Sequence, residues 1–255
     1  MSTPNTNPLT YNGYVNQIAT LAIVSTTTVS GVVQGVDASF NTLIPQMLNY
    51  AELRIQRDLD LLPAQVSNTT YSLTANVNSL SIAISDFITL QTVSVASGTS
   101  QFPLIPTTKE FLQNVYNDNS YTAQPQYFAI YGGNTSTLLN IVVGPYPDQS
   151  YNLTLVGTTR LPSLYQYANT ANAGTATTFI STYLPDLLIQ ASMIYISQFQ
   201  RNFGPASNDP QMGPTFEAQY QALLRGALGE EYRKRFEAVA WSSMSASPVA
   251  TPSAG

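Results

Sequence analysis

Ile141-Val-Val-Gly-Pro145-Tyr-Pro147-Asp148-Gln-Ser-Tyr151-Asn-Leu-Thr-Leu155 places two short apolar runs on either side of a Gly-Pro-x-Pro break. Neither run has helical spacing. Leu138 to Val143 is a short apolar segment, and Tyr151 to Val156 alternates apolar with polar side chains, the period of a half-buried strand. Together they predict a hairpin that turns at Gly144-Pro145-Tyr146-Pro147. The same texture extends outward over about residues 64–182. Ser72 to Ile84 and Phe87 to Val95 are β-branched and apolar, and Tyr127 to Tyr131 runs into a turn at Gly132-Gly133-Asn134. Thr107 to Tyr116 reads as a short helix or an irregular insertion. Five or so short strands with Pro/Gly punctuation predict a small antiparallel sandwich or barrel-like domain.

On both sides of this region the apolar period changes to that of a helix. Asn7-Pro8 reads as a cap with proline at the first helical position, followed by Tyr11, Tyr14, Val15, Ile18, Leu21 and Ala22 at steps of three and four. The β-branched, Gly-containing stretch from Thr26 to Gly35 reads as a loop. A second helix is expected from about Leu43, with Pro45 in its first turn and a stripe of Ile44, Met47, Leu48, Ala51, Ile55 and Leu59. After the β region, Ser181 or Thr182 caps a helix with Pro185 at its start and Asp186 in its first turn. Leu187, Leu188, Ala191, Ile194, Tyr195 and Phe199 form its stripe, and Gly204-Pro205 stops it. A last helix is expected from about Thr215 to Phe236, with i,i+4 pairs Glu230–Lys234 and Glu231–Arg235.

The predicted fold class is therefore α+β. Residues 1–63 and 183–241 contribute N- and C-terminal helices to one helical bundle, residues 64–182 form the inserted β domain, and residues 242–255 form a flexible C-terminal tail.

Composition narrows the chemistry. The 255 residues include neither cysteine nor histidine, which excludes disulfides, thiolate or imidazole metal ligands and a Ser-His-Asp triad. Only two lysines are present, Lys109 and Lys234. Asp86, Glu110, Asp118 and Asp148 show no spacing that singles out a catalytic pair. No catalytic, cofactor-binding or metal site is predicted, and the chain is not expected to be an enzyme. Charged residues amount to 9%, against roughly 25% in an average chain. An uncharged polar surface of this kind suits a protein largely covered in an assembly. The net charge of −5 disfavours wrapping nucleic acid but is compatible with lining a pore through which DNA slides. No signal peptide is evident at Met1-Ser-Thr-Pro-Asn, and no apolar run approaches the ~20 residues of a membrane span, so a soluble product made in the cytoplasm is expected.

Two charge clusters stand out. Glu52, Arg54, Arg57, Asp58 and Asp60 lie within one helix, which reads either as a face contacting a neighbouring subunit or as an ordinary solvated face. Arg225 with Arg233-Lys234-Arg235 is a basic cluster, balanced by Glu230, Glu231 and Glu237; it reads as a weak nucleic-acid site, a partner contact or a helix end stabilised by its own cations. Trp241, the single tryptophan, reads as a cap on the bundle or as an anchor for the tail. The candidate interface residues are Glu52, Arg54, Arg57, Asp58, Arg225, Arg233, Lys234, Arg235 and Trp241.

Four segments, in this order and spacing, resemble the head-to-tail adaptor (connector) proteins of tailed bacteriophages, especially short-tailed ones. They are Pro45 to Asp60, Pro125-Gln-Tyr127-Phe128-Ala-Ile130, Ile141 to Leu155, and Leu184-Pro-Asp-Leu-Leu-Ile-Gln-Ala-Ser-Met-Ile-Tyr195 with the charged helix from Tyr220 to Phe236 after it. The resemblance spans about residues 40–238 and implies a structural virion protein at the head–tail junction, assembled in the host cytoplasm. It further implies a homo-oligomeric ring, commonly dodecameric, between the portal protein and the tail nozzle or other tail proteins. Genomic DNA would pass through that ring without sequence-specific binding, and no membrane would be involved. The alternatives are another phage tail or decoration protein, or a carbohydrate- or cell-surface-binding β domain that uses the tyrosine-rich surface.

Overall fold

A computed structural model of the chain describes residues 8–35, 38–133, 137–203 and 212–239. The first elements are α1 (Tyr11–Leu21), β1 (Thr26–Val29), β2 (Val32–Gly35) and α2 (Ala38–Asp58). Then come β3 (Gln65–Asn68), β4 (Ser72–Leu73), β5 (Ser79–Ala83), β6 (Thr89–Ser97), β7 (Ser100–Pro103) and β8 (Ile105–Pro106). They are followed by α3 (Lys109–Val115), β9 (Tyr127–Gly132), β10 (Leu138–Gly144) and β11 (Tyr151–Thr158). The chain closes with α4 (Phe179–Tyr183), α5 (Pro185–Phe203) and α6 (Met212–Val239). The fold is thus mixed α+β, in two compact units: Met1–Leu62 with Leu161–Gly255, and Pro63–Arg160.

In the helical unit α5 is the hub, packed by α1, α2, α4 and α6. Its sequence explains this position. From Leu187 to Ile196 the apolar residues occupy every side of the helix rather than one stripe, the pattern of a helix buried all round. Leu187, Leu188, Ile189, Ala191, Met193, Ile194 and Ile196 are all buried. The two buried serines on it are satisfied internally: Ser192 donates to the Leu188 carbonyl and accepts from the Tyr14 hydroxyl, and Ser197 donates to the Ile194 carbonyl.

Around this hub several expectations shift. The cap of α1 is Thr10, accepting from the Gly13 amide, rather than Asn7-Pro8. Tyr11, Tyr14, Val15, Ile18, Ala19 and Ala22 are buried, but Leu21 is half exposed. The expected loop from Thr26 to Gly35 is an antiparallel hairpin. Its Val29↔Val32 pair closes on Ser30 and Gly31 with φ of 51° and 81°, the two left-handed residues that a tight hairpin turn requires. Asn12 fastens the hairpin by donating to the Gly31 carbonyl and accepting from the Val33 amide. Helix α2 begins at Ala38, so Pro45 lies inside it and not in its first turn. Thr178, through a capping box with Ser181, starts α4, while Pro185 and Asp186 open α5 as expected. Residues 161–182, whose Thr-, Asn- and Ser-containing texture matches the β region, fold with the helices because Leu164, Ala173 and Ile180 are buried there. The second crossing between units is therefore at 160/161.

In the β unit one sheet has the order β5-β10-β9-β8 and the other β3-β11-β6-β7, with β4 also on β11. Pairing is antiparallel except for the short β8–β9 pair. Side chains from both sheets, among them Ile82, Ile141 and Val143 from the first and Val93, Val95, Leu153 and Leu155 from the second, share one core with Phe87. Neither sheet closes on itself, which sets aside the barrel-like alternative. The expected hairpin of β10 and β11 does not form, since β10 pairs with β5 and β9, and β11 with β3, β4 and β6. The intervening residues 145–150 are too many for a tight turn, and Pro145 and Pro147 lack the amides a ladder needs. That linker carries the chain from one sheet to the other. The segment Ser72 to Ile84 likewise splits into β4 and β5 at a turn where Asn76 is left-handed. Thr107 to Tyr116 resolves to α3, capped by Thr108.

Gly157 marks the tightest point of the β core. The β11–β6 register shifts between Val156 and Gly157, and a Cβ at Gly157 would lie 2.2 Å from the Thr89 carbonyl and 2.7 Å from the Phe87 ring. Gly157→Ala is expected to destabilise the chain by about 1–3 kcal/mol, the usual cost of overpacking, as read by the denaturation midpoint. An unchanged midpoint would show that β6 gives way freely.

Candidate interface site

Helix α2 presents the first predicted cluster, and the structure divides it between inside and outside. Arg54 is the centre of the part that α6 engages. Its guanidinium contacts Glu217 Oε1 at 2.6 Å and Asp58 at 3.6 Å, and lies 4.3 Å over the Tyr220 ring. The Tyr220 hydroxyl completes the circuit by donating to Asp58 Oδ2 at 2.7 Å, and Gln221 donates to Glu217. The hydrogen bond from Arg54 holds Glu217 below the usual carboxylate range. Burial, then the bond to Asp58, pushes the Tyr220 phenol up. Arg54 and Asp58 thus join α2 to α6 of the same chain.

Glu52 is 1% exposed. Its carboxylate accepts from the Ser163 hydroxyl and, at 2.8 Å, from the Leu164 amide. One turn on, Gln56 accepts from the Leu161 amide at 3.1 Å. These two side chains grip the chain where it re-enters the helical unit. Burial raises the Glu52 pKa, opposed in part by the bonds from Leu164 and Ser163.

The chain leaving the helical unit is held in the same way from α6. Glu231, 7% exposed, accepts from the Leu62 amide at 3.1 Å. Arg235 meets the Asp60 carboxylate at 2.7 Å and donates to its carbonyl. Lys234 bridges Glu230 at 3.0 Å and Glu231 at 2.8 Å. The expected Glu231–Arg235 pair is replaced because Asp60 and Leu62 offer both partners better geometry than the helix does.

Of the predicted interface residues, the structure therefore engages Glu52, Arg54, Asp58, Lys234 and Arg235 within the chain. Arg57, Arg225 and Arg233 stay exposed and make no ion pair among the described residues. Trp241 and the tail 242–255 lie outside the described residues. Gln56, Ser163, Glu217 and Tyr220 complete the clusters without having been singled out. Gln56 and Ser163 carry no charge to draw attention, and the partner of Glu217 is more than a hundred residues away.

A different surface feature emerges at the end of α1. The Ile23 amide donates to Thr20 and the Val24 amide to Ala19, the paired bonds of a Schellman ending. The left-handed position of that motif, normally glycine, is occupied by Ile23 at φ 56°, and Ile23 is 90% exposed. A β-branched residue is strained in this conformation. Leu21 beside it and Val29 on the hairpin are about half exposed as well.

Engaged charges and exposed apolar side chains define a scaffold whose remaining surface is suited to protein contacts. Residues 10–252 match the family model of the SU10 adaptor protein, and the chain belongs to that family. It is accordingly a bacteriophage adaptor, a structural component of the virion. No curated protein matches the chain. Among the described residues, no helix is long and apolar enough to cross a membrane.

The raised Glu52 pKa has a direct consequence for stability. The folded state holds this proton more tightly than the unfolded chain does. The contribution is therefore fully present below the ordinary glutamate pKa and is lost as pH rises through the folded-state value. Denaturation of wild type and Glu52→Gln across the carboxylate range is expected to show the wild type losing stability relative to the variant as pH rises. Parallel curves would mean that Glu52 titrates as an exposed carboxylate.

Proposed function

We propose that this chain is the head-to-tail adaptor of a short-tailed phage, forming a dodecameric ring between the portal and the tail nozzle. The observation that carries the reading is the adaptor-family match, which runs through both units of the fold. The helical unit, with α5 enclosed by its neighbours, serves as the bundle that packs side by side in the ring. The two sheets around one core serve as an inserted sandwich. The role is mechanical and not catalytic: the ring seals the filled head, extends the DNA channel and offers a surface to the tail.

Three features support a ring through which DNA passes. The chain has few charges and a net charge of −5, so phosphates find little to hold them. Two members of its basic cluster, Lys234 and Arg235, are neutralised by Glu230, Glu231 and Asp60. Ile23 is exposed at a position where glycine would be less strained, and a contact with an adjacent copy gives its side chain a use.

Light scattering of the purified chain, alone and mixed with portal rings, tests the reading when combined with electron microscopy of the mixture. A monomer that becomes a symmetric ring on the portal is expected. A chain that ignores the portal would reject the role. Ile23→Gly sharpens the test: it is expected to raise the melting temperature of the free chain, by relief of roughly 1 kcal/mol of left-handed strain, while weakening ring formation. Undiminished ring formation by this variant would remove the α1 end from the subunit contact.

A further inference from the structure

The β unit contains a cleft that the adaptor role leaves without a purpose. It lies between α3 and the β5–β10–β9 sheet, with Val142 at its floor, and has a volume of about 430 Å³, within the range of small-molecule sites. Lys109, in the first turn of α3, holds its ammonium 4.0 Å over the Tyr131 ring, so the cation is fixed at the wall of the cleft. No acidic side chain lines the cleft, and Lys109 makes no ion pair among the described residues.

Four uncharged polar side chains, Asn78, Ser79, Gln113 and Asn117, line the same cleft, the last three of them open to solvent. Among the described residues none of these four makes a side-chain hydrogen bond within the chain. The cleft thus sets four hydrogen-bonding side chains that have no side-chain partner among the described residues beside one cation with no acidic residue in the lining.

The chemistry of this set selects its ligand. Amide and hydroxyl side chains each both donate and accept, which matches the adjacent hydroxyls of a sugar ring. The rings of Tyr116, Tyr131 and Tyr146 supply flat, partly apolar walls for its C–H faces. A single unopposed lysine calls for one negative charge. A phosphate monoester carries about −1.5 to −2 charges near pH 7, more than the single lysine of the lining balances, whereas a carboxylate carries one. We propose that the cleft binds an acidic saccharide, with Lys109 on the carboxylate and Asn78, Ser79, Gln113 and Asn117 on the hydroxyls.

The full-length chain is titrated with glucuronate, galacturonate and N-acetylneuraminate, with glucose and acetate as controls, and binding is followed by calorimetry and by NMR shifts. At least one acidic sugar is expected to saturate, with shifts at α3 and β9–β10 and with glucose weaker by at least about tenfold, the worth of one charge-assisted contact. Lys109→Met is expected to abolish that margin over glucose, and Asn117→Ala to weaken both sugars. Gln113→Ala is the substitute variant should either change lower the melting temperature. Saturation by acetate as tight as by the sugars would overturn the saccharide assignment. So would the absence of saturation by all three acidic sugars, or binding indifferent to Lys109→Met.

Discussion

The buried carboxylate of Glu52 fixes where the chain returns to the helical unit. A glutamate that is 1% exposed must find hydrogen-bond donors inside the protein, and a single helix cannot supply them. Ser163 and the Leu164 amide do so. Leu164 is thereby drawn into the core, fully buried, and the following 3-10 turn at Leu164–Tyr167 rests against α2. On the departing side the buried Leu59 and Leu61 bracket Asp60, which Arg235 holds from α6. Both ends of the excursion through residues 63–160 are thus clasped by the helices they leave and rejoin. A long insertion carries a modest closure cost, provided its ends are held.

The same economy shapes the exposed surface. Of nine basic residues in the chain, Arg54 and Arg235 make ion pairs that tie α6 to α2 and to the chain leaving α2, and Lys234 pairs within α6 with the glutamate that holds the Leu62 amide. Exposed pairs of this kind contribute little stability each, but these are tied to buried groups and to the tyrosine at the α2–α6 contact. What remains outward is mostly uncharged polar surface, with scattered charges such as Arg57, Arg225 and Arg233 and apolar points such as Ile23 and Tyr232. A surface with so little repulsion between copies is a liability for a solitary protein and an asset for one that works in an assembly.

The sequence made the elements easier to read than their partners. Pro185 and Asp186 announce α5 directly, and the alternation from Tyr151 marks β11 whatever it pairs with. Pairing is another matter: adjacent strands usually form hairpins, and only the two prolines between β10 and β11 hint that they part. The hairpin at Thr26–Gly35 carried a usable signal, a Ser-Gly pair between β-branched residues, which glycine content masked as a loop. The charge clusters were visible as clusters, but their direction was not. Glu52 differs from a solvated glutamate only in what residues 163 and 164 bring to it, from more than a hundred positions away. Nothing in the sequence marks Ile23, because its backbone conformation is not written in its identity.

Amide hydrogen exchange at Leu164 tests the clasp most directly. Its N–H is held by a buried carboxylate on α2, so exchange is predicted to require the same global opening as the amides in the middle of α5, with equal protection at both sites. Exchange of Leu164 at the rate of an exposed loop amide would show that the chain re-enters the helical unit without being held there, and would contradict this account of how the two units share one chain.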